Sequence, residues 1–177
     1  MRDEDGRRRV DVMEWGVPFK VKNPKTGKVS TKLVANVHNL ASGFWRNMLS
    51  NPANRYLVPV TEFAETEGQV GIKAWRWFSL PSAPIFSFAG VWRQTEVEPA
   101  FAFLTCGFDG DPAAHIMGKV HPKACPVILQ RQDKEHWLNG DVDHVCSLAS
   151  AFPSQLMKAS ETCTTQARQR SGALLSA

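Results

Sequence analysis

Several features that would place a chain outside the ordinary folded domains are scarce or missing here. Cysteine is sparse: Cys106, Cys125, Cys146 and Cys163 are the 4 present in 177 residues, and no two of them form a CxxC pair. That excludes a disulfide-stapled scaffold, a thioredoxin-like motif and a zinc ribbon, and it fits a reducing compartment. His115 and His144 match no ligand spacing with those cysteines, so neither a metal nor a cofactor is expected. Long apolar runs are also lacking. The best candidate, residues 83–92, is broken by Pro84, Ser87 and Gly90 and falls short of the roughly 18 residues a membrane span needs. The opening MRDEDGRRRV carries both signs of charge with no apolar stretch behind it, and so reads neither as a secretory signal nor as a transit peptide. No internal repeat occurs at a solenoid period. The resulting expectation is a cytoplasmic, monomeric protein with no membrane partner.

What is present is the composition of a single folded domain. The apolar residues make up 43%, with 12 Gly besides, which lies near the usual globular proportion, and 177 residues fit one domain at about 100–200 residues each. Lys and Arg number 21 against 17 Asp and Glu, a net charge of +4 that permits a polyanionic partner without requiring one.

Punctuation and periodicity outline a mainly β chain with a few short helices, an α+β class. Residues 10–13 (VDVM) alternate as a strand, and Trp15-Gly16-Val17-Pro18 breaks it with a turn. Lys20, Lys22, Lys25, Lys28 and Lys32 follow with no acidic residue among them, threaded with Asn23-Pro24 and Gly27. This is a basic hairpin or loop, either a solvated face or a polyanion contact. Residues 33–37 read as a buried strand, residues 42–48 as helical turns carrying Phe44, Trp45 and Met48 inward, and residues 56–60 as a strand that Pro59 places at an edge or a bulge. Three more hydrophobic strands, at residues 75–80, 85–92 and 101–105, suggest an antiparallel sheet that curls or closes into a barrel. A loop at 107–119, a strand at 125–129 and a small helix at 133–138 complete the domain, set at residues 1–158. The polar remainder, 159–177, is expected to be a disordered tail.

The residues able to carry chemistry are few. Glu65 at a strand end and His121 ahead of another can divide acid and base work if burial moves them toward neutrality. From the residues alone, the simpler reading makes Glu65 one of three solvated carboxylates with Glu62 and Glu67, and His121 before Pro122 a structural histidine. Asn36 is a third polar candidate on a strand. Cys125 lies inside an apolar strand and reads as a small core residue rather than a thiol nucleophile.

Six segments in order bring these residues together in one pattern: Trp15-Gly16-Val17-Pro18; Ala35-Asn36-Val37-His38-Asn39; Arg55 to Glu65 (RYLVPVTEFAE); Phe88 to Trp92 (FAGVW); Phe103-Leu104-Thr105; and His121 to Leu129 (HPKACPVIL). Together they resemble the SOS response-associated peptidase (SRAP) family, also called abasic-site processing proteins. The resemblance implies a curled or barrel-like sheet and a positively charged channel for single-stranded DNA containing abasic sites, with association to the nucleoid when bound. It also implies a covalent DNA–protein crosslink. In the family an N-terminal cysteine, exposed by removal of Met by an associated peptidase activity, forms a Schiff base with the ring-opened sugar through its α-amine and closes a thiazolidine through its thiol. An α-amine suits this task, since its pKa of about 7.7–8.0 leaves far more of it neutral at pH 7 than a lysine at about 10.4.

Position by position, the resemblance assigns Asn36 to orienting the N-terminal residue, Glu65 to proton handling in ring opening and Schiff-base formation, and His121 to assisting it. Trp15 corresponds to the residue stacking near the abasic gap. Thr105 and Lys123 correspond to contacts with the DNA backbone, as does His38 where Arg is common; Lys123 likewise stands where many members have Arg, a point charge in place of a bidentate fork. The family begins Met-Cys, whereas this sequence begins Met1-Arg2, and the segment ahead of the Trp-Gly turn is much shortened. The expectation is therefore of an N-terminal strand region missing from the domain, either because the start lies upstream or because the chain is a catalytically dead single-stranded DNA-binding relative, and of marginal stability in consequence.

Overall fold

The computed structural model describes Arg7 and residues 10–67, 74–161 and 163–164. In chain order the strands are β1 (Glu14–Trp15), β2 (Val17–Lys22), β3 (Val29–Val34), β4 (Asn36–Val37), β5 (Arg55–Val60), β6 (Phe63–Glu67), β7 (Ala74–Ser79), β8 (Phe86–Gln94), β9 (Pro99–Cys106), β10 (Cys125–Pro126), β11 (Lys158–Ala159) and β12 (Cys163–Thr164). The helices are α1 (Gly43–Ser50), α2 (Asp133–Asn139) and α3 (Val142–Ser147). The fold is mainly β with short helices, as the sequence implies. Among the described residues no helix is long and apolar enough to cross a membrane.

The chain divides into two compact units. The first comprises the described residues of Met1–Val58, Ser87–Cys106 and Pro126–Ser150. Its main sheet runs β1-β9-β8-β5, with β4 and β10 also paired to β9. Pro59 costs β5 a ladder donor, which an edge strand tolerates, and β5 is the edge of this sheet. Along β9, Ala100, Ala102 and Leu104 are buried at the period of two that a strand imposes, leaving Phe101, Phe103 and Thr105 on the opposite face. Where β8 and β9 diverge beyond the Gly90–Phe103 pair, residues 127–129 wedge between them: Val127 donates to the Leu104 carbonyl at 2.9 Å and accepts from the Ala89 N–H at 3.0 Å. Helix α1 buries Trp45, Met48 and Leu49. Trp137 of α2 is wholly buried, with its indole N–H donating to the Tyr56 carbonyl at 2.9 Å.

The second unit comprises the described residues of Pro59–Phe86, Gly107–Cys125 and Ala151–Ala177. Strand β7 is its axis, with β6 antiparallel on one side and β11 and β12 in tandem on the other. Phe78 is fully buried and stacks on Phe63 at 5.5 Å. His115 is a structural histidine: Nδ1 accepts from the Met117 N–H at 3.1 Å, so Nε2 is the protonated nitrogen that donates to the Phe152 carbonyl at 2.8 Å.

Four local expectations change. Residues 10–13 form no strand: Val10 and Val12 are 89% and 94% exposed, and pairing starts only at Glu14. The run 33–37 is not one buried strand, because β3 ends at Val34 and β4 begins at Asn36 with a different partner; Leu33 is exposed and Val37 buried. The three central strands do not share one sheet, since β7 pairs with β6 and not with β8. Strand pairing also runs past residue 158, through β11 and β12, while residues 162 and 165–177 of the expected tail lie outside the described residues.

Candidate functional site

Four of the sequence-derived site residues line one edge of the first unit's sheet. Strands β1 and β4 lie end to end along β9, both parallel to it, with Trp15 opposite Phe101 and Asn36 opposite Phe103. Gly16 makes the break between β1 and β2 possible: its φ of 129° is one that residues with a Cβ rarely adopt. The Trp15 ring stacks on Phe103 at 5.5 Å with the planes 18° apart, and its N–H donates to the Ala35 carbonyl at 3.2 Å. The indole is thereby held in one orientation while remaining 52% exposed. Asn36 is exposed, with its backbone fixed by the ladder to β9.

His38 and Thr105 continue the same row. Thr105 is buried at 7% exposure. Its hydroxyl lies 3.5 Å from the Val37 carbonyl and 3.4 Å from His38 Nδ1. A donation to the carbonyl leaves the hydroxyl oxygen free to accept from the ring, so Thr105 sits behind His38 and the exposed imidazole is the outer member of the pair. Trp45 and Trp92, the other tryptophans near candidate positions in the sequence, serve packing. Trp45 is buried, and Trp92 donates to the Ala53 carbonyl at 2.8 Å.

The second unit holds Glu65, His121 and Lys123. Glu65 lies in the middle of β6, not at a strand end, opposite Arg76 of β7. It is half-buried, and burial raises its pKa above the usual carboxylate value while the His121 charge pulls it back down. His121 Nδ1 lies 2.8 Å from the Ala124 carbonyl. Because a carbonyl only accepts, this nitrogen carries the proton and Nε2 holds the lone pair in the neutral ring. The unit therefore couples a carboxyl group of raised proton affinity to an imidazole of fixed tautomer, a pairing suited to moving protons. Lys123 is exposed on the turn that the His121–Ala124 bond closes.

The neighbouring carboxylates separate by environment. Glu62 is exposed. Glu67 forms a two-bond ion pair with Arg76, at 2.8 and 2.9 Å, which the sequence reading did not identify; its signal lies in the registration of Arg76 against a strand that begins only at Phe63. Cys125 is 2% exposed, as a core residue would be. Among the described residues no three His, Cys, Asp or Glu side chains gather as metal ligands.

A family model described as SOS response associated peptidase (SRAP) matches residues 1–165. Among solved structures, the chain is similar to a protein from Bacteroides thetaiotaomicron at 20% identity, over 89% of this chain and 70% of that one, with a TM-score of 0.66. A protein from Bordetella bronchiseptica matches at 20% identity, over 90% and 80% of the two chains, with a TM-score of 0.66. A phage-related protein from the same organism matches at 16% identity, over 89% and 85%, with a TM-score of 0.59. At these identities the likeness is one of fold. No curated protein matches the chain.

Proposed function

Because the chain belongs to the SOS response-associated peptidase family, we propose that it processes abasic sites in single-stranded DNA, with Glu65 and His121 as its proton-transfer pair. The observation that carries this reading is the family match over residues 1–165; the half-buried Glu65, within the field of the His121 charge, supports the assignment of the pair. An abasic sugar is mostly a closed hemiacetal, and opening it removes a proton from the C1′ hydroxyl and delivers one to the ring oxygen. His121 Nε2 takes the first and the Glu65 carboxyl supplies the second. A primary amine then adds to the aldehyde, and the proton its nitrogen sheds on forming the carbinolamine returns to the Glu65 carboxylate. Loss of water to give the Schiff base needs a proton on the departing hydroxyl, which the restored Glu65 carboxyl provides. Where the amine belongs to an N-terminal cysteine, its thiol adds to the imine carbon and closes the thiazolidine, a step favoured by being intramolecular.

The row on the first unit supplies the hold on the strand. Trp15 offers its exposed face to a base beside the gap, Asn36 orients the attacking N-terminal residue, and His38, backed by Thr105, contacts a phosphate, as does Lys123. A monomer acting without metal or cofactor suffices for these steps.

The test is to incubate the chain, and a version preceded by an N-terminal Cys segment, with single-stranded DNA bearing one abasic site, and then to run a denaturing gel with and without borohydride. A stable adduct with the Cys-bearing version, absent on intact DNA, is expected. Failure of both versions to form adducts overturns the abasic-site reading.

A further inference from the structure

The five-lysine hairpin is left unused by the proposed chemistry. Strands β2 and β3 form a separate two-stranded sheet, registered from Val17–Val34 to Lys22–Val29. Residues 22–33 are exposed throughout. The turn is nevertheless built: Asn23 Oδ1 accepts from the Lys25 and Thr26 N–H groups at 2.8 and 3.1 Å, and Gly27 takes a φ of 70°. Two strands alone make a marginal structure. This pair is braced where the Phe19 ring meets Phe44 of α1 edge-on at 4.8 Å.

Between the hairpin, α1 and the turn joining β8 to β9 is a groove of about 560 Å³, lined in part by Phe19, Lys20, Phe44, Arg93, Glu96 and Val97. That volume lies within the range of small-ligand sites, roughly 300–1,000 Å³. The Arg93 guanidinium is poised 5.9 Å above the Phe44 ring. Among the described residues, neither Arg93 nor Lys20 pairs with a carboxylate. Phe19 and Val97 keep 36% and 90% of their surface exposed. The groove lies at the turn end of β8 and β9, whereas Thr105 is at the far end of β9.

We infer that this groove is a nucleotide subsite, a second hold on a nucleic-acid strand away from the Trp15–His38 row. A base packs against Phe19 and Val97, its phosphate pairs with Lys20 and Arg93, and the hairpin lysines follow the neighbouring phosphates. Glu96 also lines the groove, where its carboxylate can accept from a base N–H, a donor that the side chains of an acidic peptide do not offer. The inference rests on the reading of the protein as a DNA-binding one.

The experiment is fluorescence anisotropy of a labelled single-stranded thymidine oligomer with the full chain over a salt series. Phe19→Ala should weaken binding by at least about fivefold, while Phe19→Tyr, which keeps a ring, stays near wild type. Lys20→Gln with Arg93→Gln, both changes at the surface, should lower the slope of log affinity against log salt by about 1.4, the share of two phosphate contacts on a single strand. On an oligomer whose bases are replaced by tetrahydrofuran, Phe19→Ala should cost nothing further. Wild-type affinity and salt slope in all of these variants overturn the subsite, as does equally Phe19-dependent binding of poly-glutamate. Binding that is lost in them while Glu65→Gln leaves abasic-site chemistry intact sinks the proposed reaction and spares the subsite. No binding of DNA by the wild type overturns both.

Discussion

Glu65 and Arg76 stand directly opposite each other across β6 and β7, yet the guanidinium turns aside to Glu67. Had it faced Glu65, a cation at contact distance would hold that carboxyl ionised. With Arg76 committed to Glu67, the environment of Glu65 is set by burial and by His121, and its pKa rises. The strand register thus separates a carboxylate held in an ion pair, Glu67, from one whose proton affinity burial raises, Glu65, two residues apart on the same face.

This has a consequence for stability. A carboxyl whose pKa is higher folded than unfolded binds more protons in the folded state, so its contribution is fully present below the ordinary carboxylate value and is lost as pH rises through the folded one. Glu65→Gln removes that dependence. Thermal melts should show the variant gaining on wild type between acidic and neutral pH, and a constant difference in melting temperature across that range contradicts the account.

Arg55, unlike the half-buried Arg76, is a fully buried cation, and its task is different. It is 3% exposed and donates to the carbonyls of Trp137 and Gly140 at 2.9 and 2.8 Å, closing the C-terminal end of α2, where a positive charge also suits the helix dipole. Arg55→Ala leaves both carbonyls without this donor and should cost about 3 kcal/mol, the scale of two charged hydrogen bonds under cover. Arg55→Lys cannot reproduce the fork and should recover only part of the loss. Urea denaturation of the two variants measures both.

Gly90 faces Tyr56 across the sheet of the first unit. A Cβ at position 90 would stand 2.5 Å from Tyr56 Cε1 and 2.9 Å from Val58 Cγ2, so Gly90→Ala should destabilise by about 1–3 kcal/mol through overpacking. Among the described residues the buried Tyr56 hydroxyl has no hydrogen-bond partner, and burial raises its pKa. Tyr56→Phe should therefore be neutral or stabilising in the same denaturation assay, because it removes an uncompensated polar group.

Residue order revealed the class of fold and the candidate residues better than their pairing. Apolar patterning located β7, β8 and β9, and Pro59 restricted β5 to an edge or a bulge, because local chemistry sets those features. Alternation cannot say which strand a strand joins, and so the partnership of β7 with β6 was not legible. The run 33–37 looked continuous because apolar character hides a change of partner at Ala35. Thr105 shows the same limit at the site: its identity was legible, but its position behind His38 depends on a parallel pairing of β4 with β9 that no local signal encodes. The raised proton affinity of Glu65 was legible only as a possibility, since it depends on where Arg76 points.

If abasic-site capture runs through proton transfer by Glu65, its rate must depend on that carboxyl. The most direct measurement is the rate of adduct formation on single-stranded DNA with one abasic site, comparing Glu65→Gln with the parent, both preceded by an N-terminal Cys segment, alongside their affinity for the same DNA. The Gln variant should react about a hundredfold more slowly, the scale of lost general acid–base catalysis, with affinity nearly unchanged. Equal rates, or a fall in rate matched by the fall in affinity, would contradict it.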